Sequence, residues 1–120
     1  MTNVKIFHEG DHITVADIAG TIDHSLLRPD ITVAELREGC SLAKEYHCVS
    51  VCVRPSDLPI VTEELKSSSV LVTTVAAFPN GTSTPQTTVS ETIDAIDKEA
   101  VEVVETMNYT RFLSADFALV

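Results

Sequence analysis

The sequence predicts an α/β protein with a parallel sheet, built as about four βα units of a (β/α)8 barrel. Three observations predict it. Strand-like runs begin near residues 21, 48, 70 and 101, with helix-like runs between them; spacings of roughly 20–30 residues of this kind make βαβ units and parallel strands. The run 48–53 alternates: Val49, Val51 and Val53 are β-branched, whereas Cys48, Ser50 and Cys52 are small and semi-polar, with Arg54 following. An open doubly wound sheet carries helices on both faces and reads apolar throughout, so one polar-tipped face favours a barrel interior that opens into a site at the strand C-terminal ends. Finally, 120 residues with 44% hydrophobic content suffice for one globular domain, but a complete barrel takes about 250. Four strands leave an inner face and two strand edges uncovered, so the chain is expected to be the front part of something longer or to self-associate.

Each element has a local cause. Thr14 with Asp17 makes a weak cap for a short helix near 15–20, and a short strand is expected near Thr21 to Ser25. Thr32 with Glu35 forms a capping box, after which Val33, Leu36, Cys40 and Ala43 recur at helical spacing, with an end near His47. Residues 48–53 form the second strand. Pro55 suits a first helical position and opens a helix to about Lys66. Residues 70–77 make the third strand, and Asn80-Gly81 a turn. Pro85 opens another helix, whose buried stripe is expected to be Val89, Ile93 and Ile96, and residues 101–106 make the fourth strand. Residues 1–17 read as an N-terminal extension, with a hairpin and the start of the short helix, and residues 18–120 as the barrel portion.

Composition excludes several functions. Eight Lys plus Arg against 18 Asp plus Glu give a net charge of −10 without a basic cluster, so neither nucleic acid nor an anionic membrane is an expected partner. No apolar run is long enough for a membrane-spanning helix. The first residues lack the basic start and apolar core of a secretory signal, and the cysteine count is odd: Cys40, Cys48 and Cys52. Both features suggest reduced thiols and a cytoplasmic location. Cys48 and Cys52, if on one strand, lie about 13 Å apart, beyond disulfide reach.

Three motifs invite chemistry and are weak. His8-Glu9-Gly10-Asp11-His12 matches the letters of a zinc motif that requires a helix, but Gly10 and Asp11 favour a turn between residues 4–7 and 12–14. A small metalloprotein using His8 and His12 is thus a distant alternative. Asn80-Gly81-Thr82 and Asn108-Tyr109-Thr110 match the glycosylation sequon without a secretory context. Asp23-His24-Ser25 cannot form a hydrolase relay on a strand, because neighbours point to opposite faces. Asp23 and Ser25 share a face near the strand's C-terminal end, where barrel enzymes place working groups. Cys52 ends the second strand similarly, with Arg54 two residues on along its face.

Together these segments resemble a family. Ile22-Asp23-His24-Ser25-Leu26-Leu27-Arg28-Pro29 is similar to the I-D-H-T-L-L-K-P opening of the deoxyribose-phosphate aldolases, and Ser50-Val51-Cys52-Val53-Arg54-Pro55 to their S-V-C-V-N-P. Thr74-Val75-Ala76-Ala77-Phe78-Pro79-Asn80-Gly81 resembles T-V-x-x-F-P-x-G, and Ser114-Ala115-Asp116-Phe117 the later S-G-D-[YW]. The likeness is collinear from about Ile18 to Val120. It implies a TIM barrel and class I aldolase chemistry without metal or cofactor: reversible cleavage of 2-deoxyribose 5-phosphate to glyceraldehyde 3-phosphate and acetaldehyde through a lysine Schiff base, in deoxyribonucleotide catabolism. Carried over by position, Asp23 and Cys52 are the catalytic-site residues and Ser25 is substrate-binding. Asp23 and Ser25 would give polar support at the active-site mouth, and Cys52 would stand beside the substrate without bonding to it.

Two departures qualify the resemblance. The family's fourth strand reads A-D-E-I-D-M-V and relays protons through its second Asp. The matching Ala100-Val101-Glu102-Val103-Val104-Glu105-Thr106 puts Val104 there, with Glu105 expected on the opposite face and Glu102 on the same face but about 7 Å earlier. The imine lysine, its partner lysine and the phosphate loop belong to later strands, beyond Val120. Lys5 precedes the barrel, and Lys44, Lys66 and Lys98 fall in or at the ends of predicted helices. The expected reading is the N-terminal half of an aldolase barrel, inactive alone as a truncated or degenerate copy. Its partners would be a small phosphorylated sugar or aldehyde and either a second copy (a homo-oligomer) or a complementary half-barrel. A non-catalytic, self-associating binding or scaffold module is the alternative.

Overall fold

A computed structural model describes residues 6–119. Four parallel strands, β1 (Asp23–Leu26), β2 (Ser50–Val53), β3 (Leu71–Ala76) and β4 (Glu102–Glu105), lie in the order of the chain, with β1 and β4 at the edges. Helices α2 (Val33–Tyr46), α3 (Leu58–Leu65) and α4 (Pro85–Asp97) connect them. The short helix α1 (Val15–Ala19) precedes β1, and α5 (Tyr109–Leu113) follows β4. Consecutive strands with helical crossovers are the winding of an open barrel segment.

The caps explain the helix boundaries. Thr14 and Asp17 make a complete capping box on α1, and Thr32 and Glu35 one on α2. His47, left-handed at φ 54°, ends α2: its N–H donates to the Lys44 carbonyl and that of Cys48 to the Ala43 carbonyl. This pair of bonds is a Schellman motif. Pro55 starts a 3-10 turn, Pro55–Asp57, and α3 begins only at Leu58; the expected continuous helix from Pro55 is thus divided. The strands also run shorter than the apolar runs, although flanking residues still bond across: the Leu71 N–H donates to the Val49 carbonyl and the Val101 N–H to the Val72 carbonyl.

One sheet face builds the core. Val51 and Val53 are fully buried against Leu36, Cys40 and Ala43 of α2 and Leu58 and Val61 of α3, as the alternation predicts. Each such side chain contributes roughly 1.5–3 kcal/mol by leaving water. Gly39 lets α2 approach β1, since a Cβ there would lie 2.6 Å from Leu26 Cδ1.

The expected stripe of α4 is overturned. Val89, Ile93 and Ile96 are 58, 56 and 59% exposed, and the buried positions are Thr88 and Ala95. The apolar period marks a flank of the helix about a third of a turn from its base. The base accepts the smaller side chains against the sheet. At the N-terminus, the His8 carbonyl accepts from the Asp11 N–H and Gly10 takes φ 93°, so His8 and His12 span a turn and do not share a helix face. Residues 1–5, including the outer part of the proposed hairpin and Lys5, lie outside the described residues.

Candidate active site

The strand register defines the second sheet face. Asp23 pairs with Ser50, Ser25 with Cys52, Cys52 with Thr73, Thr73 with Glu102 and Val75 with Val104. Partners in register share a face, so Asp23, Ser25, Ser50, Cys52, Thr73, Glu102 and Val104 lie opposite the helix-packed core. The face is concave: the Asp23 carboxylate on β1 reaches over β2 and accepts from Thr73 Oγ1 on β3 at 3.0 and 3.2 Å. Ser50 Oγ donates to the same carboxylate at 2.6 Å.

This cradle holds an acidic oxygen pair on a half-polar surface. Ser50 and Thr73 are 4% and 1% exposed, so their hydroxyls have few competing partners. Asp23 and Cys52, both expected from the sequence, do come together here, and Ser25 stands beside Cys52 in register. Asp23 opens β1, so it sits deeper than the strand exit anticipated for it, and Ser25 is nearer that exit. Thr73 was not expected. Its signal was the polar residue inside an apolar run, but Thr73 and Thr74 are adjacent and period two does not say which faces inward.

Cys52 is 4% exposed. Burial, and secondarily the nearby Asp23 and Glu102 charges, push its thiol up, while the Thr73 hydroxyl acts in the other direction. The neutral thiol cannot serve as a ready nucleophile at neutral pH, which fits a residue that lines the site without bonding. Arg54 does not act on it: its Nε bonds Asp57 Oδ2 at 2.6 Å and Nη1 donates to the Pro29 carbonyl at 2.8 Å. It ties the loop after β1 to the 3-10 turn.

The described lysines lie elsewhere. Lys44 Nζ donates to the Glu64 carbonyl at 3.2 Å, joining α2 to α3. Lys66 pairs with Glu63 at 3.6 Å, and Lys98 with Asp94. All three stand on or at the ends of helices, as expected. Val104 lies on the inner face, whereas Glu105 pairs with Ala76 and falls on the other. The strand phase thus prevents Glu105 from taking Val104's place.

At the exit of β3, Glu91 accepts from the Ala77 N–H at 2.8 Å and the Gly81 N–H donates to the Ala77 carbonyl at 2.7 Å. Gly81 has φ 64°, and a Cβ there would lie 2.1 Å from the Met107 carbonyl oxygen. The turn is therefore pressed against the chain leaving β4. A cavity of about 450 Å³ opens beside it, lined by Thr84, Thr88, Glu105 and Arg111 among others. It shares no residue with the Asp23 cradle. Among the described residues no group of three metal-ligating side chains is assembled, and no described helix is long and apolar enough to cross a membrane.

Comparison with known proteins agrees with this architecture. No protein-family model matches the chain. A deoxyribose-phosphate aldolase of Thermoanaerobacter sp. (strain X514) is 40% identical over 101 residues, covering 84% of this chain and 45% of that protein. The crystal structure of a candidate deoxyribose-phosphate aldolase from Coccidioides immitis superposes with a TM-score of 0.86 at 33% identity, over 90% of this chain and 43% of the other. The tetrameric deoxyribose phosphate aldolase of Aeropyrum pernix shares the fold, with a TM-score of 0.76 at 20% identity, over 88% of this chain and 48% of that one. The chain therefore spans a little under half the length of the relatives it matches. By sequence and fold, it is a homologue of the deoxyribose-phosphate aldolases that fits their N-terminal half.

Proposed function

We propose that this chain supplies the N-terminal half of a Schiff-base aldolase site for 2-deoxyribose 5-phosphate, and that alone it does not turn the sugar over. The observation that carries the reading is the concave inner face, where Asp23 is cradled by Ser50 and Thr73 beside Cys52 and where none of Lys44, Lys66 or Lys98 stands. In such a reaction a lysine amine condenses with the C1 carbonyl. The C3 hydroxyl loses its proton, the C2–C3 bond breaks, and its electron pair moves into the iminium to give an enamine. Protonation at C2 and hydrolysis then release acetaldehyde, leaving glyceraldehyde 3-phosphate.

In this reading Asp23 supplies a fixed negative charge and hydrogen-bond acceptor near the reacting centre, with Ser25 contacting the sugar. Cys52 fills space beside it as a neutral thiol. Val104 has no proton to transfer, so proton relay would need another group. The amine nucleophile would come from a complementary half-barrel, in a cytoplasmic enzyme of deoxyribonucleotide breakdown. Incubation of the chain with 2-deoxyribose 5-phosphate and a coupled acetaldehyde assay tests this: no release above the uncatalysed rate is expected, and sustained turnover would overturn it.

A further inference from the structure

The Asn80-Gly81 step at the exit of β3 joins an open amide to a guarded nitrogen. Asn80 is exposed, and no hydrogen bond among the described residues restrains its side chain. Gly81 beside it is buried. The Gly81 N–H donates to the Ala77 carbonyl at 2.7 Å. Having no Cβ, glycine lets the preceding side chain reach its nitrogen, and the Asn80 Cγ and that nitrogen can close a five-membered ring. Contacts from two elements hold the nitrogen back. Glu91 of α4 accepts from the Ala77 N–H at 2.8 Å, so Ala77 is tied at both ends. Ala77 has φ 53°, a left-handed geometry that an alanine keeps only while its surroundings impose it. On the other side Gly81 abuts the chain leaving β4, where a Cβ would lie 2.1 Å from the Met107 carbonyl oxygen.

We propose that Asn80-Gly81 is a modification site gated by this turn: closed, it resists deamidation, and opened, it converts through a succinimide. In the conversion the Gly81 nitrogen gives up its proton and bonds to the Asn80 Cγ. The Cγ–Nδ2 bond breaks, and the amide group leaves as ammonia with that proton. Water, the only co-reactant, then opens either carbonyl of the ring and leaves an aspartyl or an isoaspartyl residue at position 80. The turn gates the step because the Gly81 N–H must leave the Ala77 carbonyl before the nitrogen can lose its proton, so only the locally opened fraction reacts. Each product adds a negative charge to a chain of net charge −10, at the lip of the cavity that Gly81 shares with Glu105. The isoaspartyl product also lengthens the main chain by a methylene, for which the packing of Gly81 on Met107 leaves no room. Both changes keep the turn open once it has reacted. The inference is independent of the aldolase reading.

The test follows ammonia loss at Asn80 by peptide mass mapping at mildly alkaline pH. It compares the full chain when native and in urea, a synthetic peptide of residues 76–84, and the variants Glu91→Ala and Glu91→Gln. The native chain should convert at least about tenfold more slowly than the peptide or the urea-unfolded chain. Glu91→Ala removes the acceptor for the Ala77 N–H and should convert faster than wild type, whereas Glu91→Gln keeps an acceptor oxygen and should stay near it. If Glu91→Ala does not fold, the native chain against the peptide decides the matter alone. A native rate within about twofold of the peptide rate would overturn the gate, as would a folded Glu91→Ala chain that converts no faster than wild type. A peptide that does not convert would overturn the site itself.

Discussion

Replacing Thr73 by valine removes one hydroxyl and keeps the shape of the side chain. Thr73 is 1% exposed, and its single hydroxyl proton has Asp23 Oδ1 as nearest acceptor at 3.0 Å, with the Val51 carbonyl at 3.3 Å. A hydrogen bond to a charged group is worth about 1.5–3 kcal/mol. Asp23 keeps the Ser50 hydroxyl at 2.6 Å and is open to water, which replaces part of the loss. The expected destabilisation is therefore about 1 kcal/mol, a fall in Tm of about 4 °C. Urea denaturation of wild type, Thr73→Val, Asp23→Asn and the double variant isolates the pair. Their coupling should be about 1 kcal/mol, and Thr73→Ser, which keeps the hydroxyl, should retain it. A Thr73→Val chain within about 0.3 kcal/mol of wild type, with no coupling to Asp23, would refute the cradle.

Other perturbations test the supports of the site. Glu99 has φ 67° and His47 φ 54°, both closing Schellman motifs, so Glu99→Gly and His47→Gly should each raise stability by about 1 kcal/mol in urea titrations. Gly81→Ala should cost about 2 kcal/mol or more in the same measurement, because the new Cβ meets the Met107 carbonyl oxygen at 2.1 Å in a left-handed backbone. Glu35 is held down to about 2 by the Thr32 N–H, the Thr32 hydroxyl and Arg28. Its folded value is below the unfolded one, so its contribution is present above about 4.5 and lost as pH falls towards 2. Glu35→Gln should consequently flatten the fall in urea midpoint across that window; an unchanged slope would contradict the assignment.

What could be read from the sequence was local. The α2 helix was legible end to end, because Thr32, Glu35 and the apolar spacing are all within hydrogen-bonding or packing reach along one helix. Alternation in Ser50–Val53 correctly separated the core face from the inner face, since only one phase buries valine. The Asp23 cradle was only half legible. Asp23 and Ser50 are 27 residues apart and Asp23 and Thr73 are 50 apart, and their meeting depends on register and sheet curvature, which no local pattern encodes. The stripe on α4 was found but assigned to the wrong partner. Periodicity reports an apolar face without saying whether the sheet or a neighbouring helix covers it. Pro55 was likewise compatible with a helix start, but its turn takes the tighter 3-10 form before α3 begins.

The central claim of the proposed function is that the inner face of this sheet supplies half of an aldolase site and that, among the described residues, no lysine stands on it. Borohydride reduction in the presence of 2-deoxyribose 5-phosphate, followed by peptide mass mapping, addresses it directly. The chain alone should yield no reduced adduct at Lys5, Lys44, Lys66 or Lys98. An adduct on any of these lysines, formed in step with acetaldehyde release, would contradict the account.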